Sequence, residues 1–283
     1  MLIDNPSPFF ASVVACPIGK ERLSFVGDGL RAPSGLSYPN GDLRVGLEFS
    51  DQWRKGQDDY ERYHERWMQG DERSYVETDD ESRDVYAALL MSGSVLDIGG
   101  APGIVAQQAN LDIASYVCLD AQVCKWRDIA NSAFARHYAH CAKACRAPAF
   151  AEFLPISAST FDYVHMRSCI DHFANPLLAL KESFRVLKPS GRLVVGLSLE
   201  GAYKKGQGGL LQSLKIAVKR TDFARELYER FFDHHTFHPT REALIALLNR
   251  ADFSVEKEVW AEAYHNVLFV RARKHHAPGE AHS

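Results

Sequence analysis

The sequence predicts an α/β fold built on a largely parallel sheet, with a small irregular β module ahead of it. Three observations carry this expectation. From about residue 85, short β-branched runs alternate with helical segments, the pattern of βαβ units. The last two apolar runs, FSVEKEVW at 253–260 and NVLFVRAR at 266–273, lie only five residues apart, too few for a helical crossover, so they pair as an antiparallel hairpin. Residues 1–48 are instead rich in Gly, Pro and Ser, with brief apolar runs such as ASVVA and LRVGL.

Taken in order, residues 1–48 form the β module and 49–84 a polar, acidic segment studded with Trp53, Tyr60, Tyr63, Trp67 and Tyr75, read as surface helix, linker or lid. The main domain spans 85–274. Its strands are SVLDIGG (94–100), ASYVCLD (114–120), FDYVHMR (161–167) and RLVVGLS (192–198), before the hairpin. Between 121 and 155 one helix and one strand are expected, the strand near 145–151, where Ala, Cys and His give little strand signal. A helix over 176–187 is stopped by Pro189 and Gly191 in LKPSG, and another follows Thr240, its N-cap. Residues 202–238 form an insertion, and 275–283 a disordered tail.

Composition narrows the function classes. The 283 residues carry 33 Lys and Arg against 36 Asp and Glu, a formal charge of −3, so no overall basic field draws the chain to nucleic acid or an anionic membrane. No run approaches the roughly 18 to 20 apolar residues of a bilayer crossing, and MLIDNPSPFF lacks the layout of a signal peptide, so a soluble cytoplasmic protein is expected. Six dispersed cysteines read as free thiols.

In VLDIGGAPG an apolar strand runs into Asp97, then Gly99, Gly100 and Gly103, then the helix-compatible IVAQQA. Glycines there let backbone turn sharply and approach a ligand without a Cβ in the way. The dinucleotide pattern GxGxxG fails at Ala101. Asp97, ahead of the glycines, disfavours a pyrophosphate and suits a ligand bearing an ammonium or sulfonium group. The next strand ends in Asp120, 17 residues after Gly103, where a carboxylate accepts hydrogen bonds from a ribose diol.

These residues resemble the class I S-adenosylmethionine-dependent methyltransferases, in particular the group that includes ubiquinone-type methyltransferases. The resemblance covers about 85–273 and rests on VLDIGGAPG, YVCLD, EFLPISASTFDYVHMRSCIDHFANP and ALKESFRVLKPSGRLVV. It implies a Rossmann-like seven-stranded, mostly parallel sheet closed by a C-terminal antiparallel hairpin, with S-adenosylmethionine as cofactor. It places Asp97, Gly99, Gly100, Ala101 and Gly103 around the methionine moiety and Asp120 with Ala121 at the ribose. Glu152 and Phe153 line the adenine, and Arg167 and Ser168 line the cofactor pocket. Ala101 stands where relatives usually keep a glycine, and Phe150 where many have an Asp, which leaves Glu152 as the expected adenine acceptor.

Methyl transfer is an in-line displacement at carbon, so the protein aligns a nucleophile and manages one proton. His172 falls at the mouth of the sheet. His234, His235 and His238, in FFDHHTFHPT, precede a helix that borders the substrate in relatives; they are candidate bases, weighed against a helix-start role and a metal site whose spacing matches no strong motif. A second group, His137, His140, Cys141 and Cys145, reads more simply as packed small side chains. The insertion reads as amphipathic helices, either ordinary surface helices with solvated charges or, as the resemblance implies, a cover over the substrate.

The first 48 residues resemble a zinc-ribbon module with its metal lost. Only Cys16 remains, with Gly19 at the second ligand place, and one cysteine builds no tetrahedral zinc site. Such a module is expected to serve as a lid, a substrate wall or a homodimer contact, or equally as an extension with no role beyond stability. The expected function is methyl transfer to an oxygen, or next a nitrogen, of a small molecule, glycan or secondary metabolite. An RNA base methyltransferase and a non-catalytic partner protein of the same fold stay open.

Overall fold

The computed structural model describes residues 2–45, 53–54, 56–58, 62, 66, 69–70, 72–100, 103–107, 112–122, 133–139, 144–199, 239–261 and 267–275. The chain opens with α1 (Pro8–Val13), which starts where Ser7 Oγ accepts the Phe10 N–H at 3.0 Å and Pro8 presets the helical φ. Three short strands follow, β1 (Ser24–Val26), β2 (Gly29–Arg31) and β3 (Ser37–Tyr38), in one antiparallel sheet. Helix α2 (Glu72–Leu89) leads into the main sheet.

That sheet has seven strands in the order β6-β5-β4-β7-β8-β10-β9. They are β4 (Ser92–Ile98), β5 (Asp112–Asp120), β6 (Cys145–Pro148), β7 (Phe161–Arg167), β8 (Leu187–Ser198), β9 (Phe253–Ala261) and β10 (Val267–Lys274). All pair in parallel except β10, which runs antiparallel to both β8 and β9. Helices α3 (Ala133–His137), α4 (Pro176–Val186) and α5 (Arg241–Arg250) follow, with short 3-10 turns at Pro39–Gly41, Ile104–Gln107, Ala151–Phe153 and Ile170–His172. The expected hairpin is present, and Thr240 caps α5 by accepting the Ala243 N–H at 3.2 Å.

Side chains alternate between the two faces of the sheet. Leu96, Ile98, Val164, Met166, Leu193 and Val195 point to one face and bury against α4, α5 and the N-terminal module. Val95, Tyr163 and Val194 point to the other, where Val85, Tyr86 and Leu89 of α2 cover them. The N-terminal module contributes Ile3, Phe10, Val14, Leu23, Leu30 and Leu43 to the first of these cores. Backbone also joins it to the sheet: Asp4 and Arg146 of β6 exchange two N–H···O bonds, at 2.8 and 3.0 Å, and the Ala15 N–H donates to Pro155 O at 2.9 Å. Lys20 pairs with Glu182 of α4 at 2.6 Å.

Two expectations shift. Strand β8 begins at Leu187 rather than 192, because Leu187 already pairs with Phe161 before an irregularity in the β7–β8 register. Helix α2 runs through the expected boundary between 84 and 85, since its last turns carry the buried Val85, Tyr86 and Leu89 that bind it to the sheet. The insertion 202–238, the tail beyond 275, and Cys124, His140 and Cys141 lie outside the described residues. Cys16, Cys118, Cys145 and Cys169 are buried free thiols, and no described helix is long and apolar enough to cross a membrane.

Candidate functional site

Strand order fixes where a ligand enters. From β4 the chain steps outward to β5 and β6, then returns to the other side of β4 for β7 and β8. Such a reversal opens a crevice at the carboxyl ends of the strands. Here it is a cleft of about 610 Å³ of open space at the ends of β4, β5 and β7. Ile98, Leu119, Ala149 and Phe150 give it an apolar wall, and Asp120 and Glu152 supply two carboxyl groups. Ser168, Cys169 and His172 line the β7 side.

Gly99 makes the turn out of β4. Its φ of +66° and a Cβ position 2.7 Å from Cys169 Cβ leave glycine as the residue that fits. Its N–H donates to Leu119 O at 2.8 Å, tying the turn to β5. Trp53 and Gln57 also line the cleft. Trp53 Nε1 donates to the His172 carbonyl at 2.9 Å, its ring meets Phe150 edge-on at 6.2 Å, and Gln57 O accepts from the Gln122 side chain. The segment ahead of α2 is thereby joined to both flanks of the cleft.

Asp120 Oδ1 accepts the Gln122 N–H at 2.9 Å, which orients its carboxylate at the end of β5. Glu152 is buried, and that burial pushes its carboxyl above the ordinary value despite the Asn175 N–H it accepts at 3.1 Å. His172 is 18% exposed, its Nε2 4.0 Å from Asp171 Oδ1. Burial raises the Cys169 thiol well above its usual value, which makes it a packing group rather than a nucleophile. Two acids over an apolar wall fit a nucleoside, the ribose diol and the adenine amino group being donors.

Six expected site residues meet in this cleft: Gly99, Asp120, Ala121, Glu152, Ser168 and His172. Gly100, Gly103 and Phe153 are not part of its lining, nor is Arg167, which reaches Ser82 Oγ at 3.4 Å and lies over the Phe269 ring. Asp97 is placed differently from its expected contact with the ligand: its side chain is 1% exposed and points into the α2 face of the sheet. There Oδ1 accepts from His165 Nδ1 at 2.8 Å and Oδ2 from the Tyr116 hydroxyl. Ala101, His234, His235 and His238 lie outside the described residues.

Sequence reasoning missed Gln57 and Cys169 as lining residues and His165 as the partner of Asp97. A histidine in the otherwise apolar run FDYVHMR was the available signal for the last of these. In the N-terminal module, Cys16 Sγ accepts the Gly19 N–H at 3.1 Å and lies 3.0 Å from Tyr38 Oη. Burial alone would raise this thiol; hydrogen bonds from Tyr38 and the neighbouring amides bring it below its usual value. Among the described residues no group of three His, Cys, Asp or Glu side chains could hold a metal.

Residues 71–258 match a family model described as a methyltransferase domain. Among solved structures, the Burkholderia thailandensis 1,6-didemethyltoxoflavin-N1-methyltransferase with bound 1,6-didemethyltoxoflavin and S-adenosylhomocysteine is 16% identical. That match covers 90% of this chain and 99% of the other, with a TM-score of 0.51. A chain from the Haloferax volcanii complex of the Trm112 methyltransferase activator with a methyltransferase is 15% identical over 81% of this chain and 100% of its own, with a TM-score of 0.50. At such identities the likeness is one of fold. No curated protein sequence matches the chain. The family match spans more than half of the sequence, and the chain belongs to the methyltransferase-domain family as an S-adenosylmethionine-dependent enzyme.

Proposed function

We propose that the enzyme transfers a methyl group to an oxygen, with nitrogen next in order, of a small hydroxylated molecule, glycan or secondary metabolite. The observation that carries this reading is the cleft in which Asp120 and Glu152 face an apolar wall of Ile98, Leu119 and Phe150. In it Asp120 accepts the ribose diol, Glu152 replaces the acid that Phe150 displaces at the adenine, and Gly99 admits backbone close to the methionine end. S-adenosylmethionine supplies an electrophilic methyl on a sulfonium when bound. The chain itself has to hold the acceptor in line, exclude water and take one proton. His172, lining the cleft, is a candidate for that proton; His234, His235 and His238 are the others. The formal charge of −3 supports a small acceptor over an RNA backbone, whose binding rests on basic contacts.

Calorimetric titration with S-adenosylmethionine and S-adenosylhomocysteine tests the cofactor site. Asp120→Ala is expected to weaken both by roughly 1 to 3 kcal/mol without changing the melting temperature, since the charged hydrogen bonds it removes go to the ligand. Unchanged affinity removes Asp120 from the ribose. A panel of hydroxylated small molecules and sugars, scored by release of S-adenosylhomocysteine, then identifies the acceptor; release with RNA alone overturns the small-molecule reading.

A further inference from the structure

On the α2 face of the sheet, four polar side chains form a continuous chain inside an apolar core. Tyr116 and His165 both bond the Asp97 carboxylate, and His165 Nε2 lies 3.1 Å from the Tyr86 hydroxyl. A carboxylate only accepts, so Nδ1 donates to it, and Nε2 lies within hydrogen-bond distance of the Tyr86 hydroxyl. The register places Asp97 of β4 beside His165 of β7, and Tyr86 reaches down from α2. Their neighbours are Val95, Tyr163, Val194 and Phe269. Arg167, the nearest base on the same face of β7, is engaged with Ser82 and the Phe269 ring.

Burying such a chain is costly, and apolar residues of the same volume are commonly as stabilising or more so. Stability alone therefore does not account for it. Its position does: a Cβ on Gly100 would overlap the Asp97 carboxylate, so the anion is packed directly against the glycine turn that opens the cleft.

We propose that His165 is a positioning residue that, with Tyr116 and Tyr86, holds the Asp97 carboxylate against the Gly99–Gly100 turn, so that its charge acts through the loop on the cationic end of the cofactor. Asp97 on this view touches no ligand atom. The inference rests on S-adenosylmethionine binding in the cleft and adds a selectivity for its positive charge. Two ligands separate the charge effect from damage to the loop: S-adenosylmethionine, a net cation, and S-adenosylhomocysteine, which keeps the nucleoside and the whole methionine-derived chain and carries no net charge.

At an effective dielectric of about 20, a carboxylate several ångströms away is worth at least about a tenfold change in affinity for a cation. Asp97→Asn and His165→Leu are therefore expected to weaken S-adenosylmethionine by about tenfold while changing S-adenosylhomocysteine by less than about threefold. His165→Asn, which keeps an N–H donor toward Asp97, should recover most of the loss. If His165→Leu does not fold, Tyr86→Phe removes only the hydroxyl behind the imidazole and should lower affinity for the cation alone, by about two- to threefold. Parallel losses for both ligands, or no loss for either, overturn the proposal. Wild-type protein that binds neither ligand overturns the cofactor cleft itself, and this inference with it.

Discussion

Two buried carboxylates on opposite faces of the sheet are treated in opposite ways. Glu182 of α4 meets full cations: Lys20 Nζ at 2.6 Å, and Arg185 Nε and Nη2 at 2.7 and 2.8 Å. Those cations also donate to the carbonyls of Pro17, Leu154 and Ile156, so the cluster knits the N-terminal module to the helix and loops beneath it. Asp97 meets an imidazole and a phenol instead. A carboxylate matched by cations has its field cancelled and serves as a staple. One held by an imidazole and a phenol beside the glycine turn is the source of the field proposed to act on the cofactor.

The largest expected effect tests the staple. Glu182→Ala leaves Lys20 and Arg185 facing each other, and should cost about 3 kcal/mol in urea unfolding while leaving S-adenosylmethionine affinity unchanged. A matching loss of affinity would break the division between the two clusters. Next is Gly99→Ala, which forces a side chain into left-handed backbone 2.7 Å from Cys169 Cβ. It should cost about 2 kcal/mol of stability and reduce cofactor binding as well, read by thermal melts with and without ligand. Retained binding would show that the turn has room the structure denies it.

The smallest effect sharpens the contrast through pH. For Glu152, burial raises the folded-state value, so its carboxyl takes up a proton, as pH falls, above the ordinary carboxylate range. Cofactor affinity should therefore weaken in that window, by about 1 kcal/mol, and Glu152→Gln should flatten the profile. Burial also acts to raise Glu182, but Arg185 and Lys20 bring it below its ordinary value. The stability it contributes is present above the ordinary carboxylate range and is lost as pH falls through the lowered value, so acid unfolding should trail the loss of binding.

Local signals made much of the architecture legible. A five-residue gap dictated the terminal hairpin, Thr240 announced its helix, and Asp120 at a strand end proved to lie in the cleft. What stayed hidden depends on pairing between distant segments. Nothing near Asp97 in sequence reveals that β7 sets His165 beside it, or that Tyr86 reaches that histidine from a helix with a polar first half. Strand parity sets the Asp97 side chain toward α2, and it is not among the side chains that line the cleft with Asp120. Likewise, nothing local to the acidic segment of Trp53 reveals that its indole donates to the His172 carbonyl at the cleft.

The exchange of hydrogen bonds between Asp4 and Arg146 also changes what the sheet presents to other molecules. β6 is an outermost strand, and an outermost strand is a template on which a second chain can add its own. The arm that carries Asp4, anchored by the buried Ile3 and by the Arg146–Asp4 ion pair at 2.6 Å, already occupies part of that template. Backbone pairing at Asp4 thus leaves less of that edge open to a second strand.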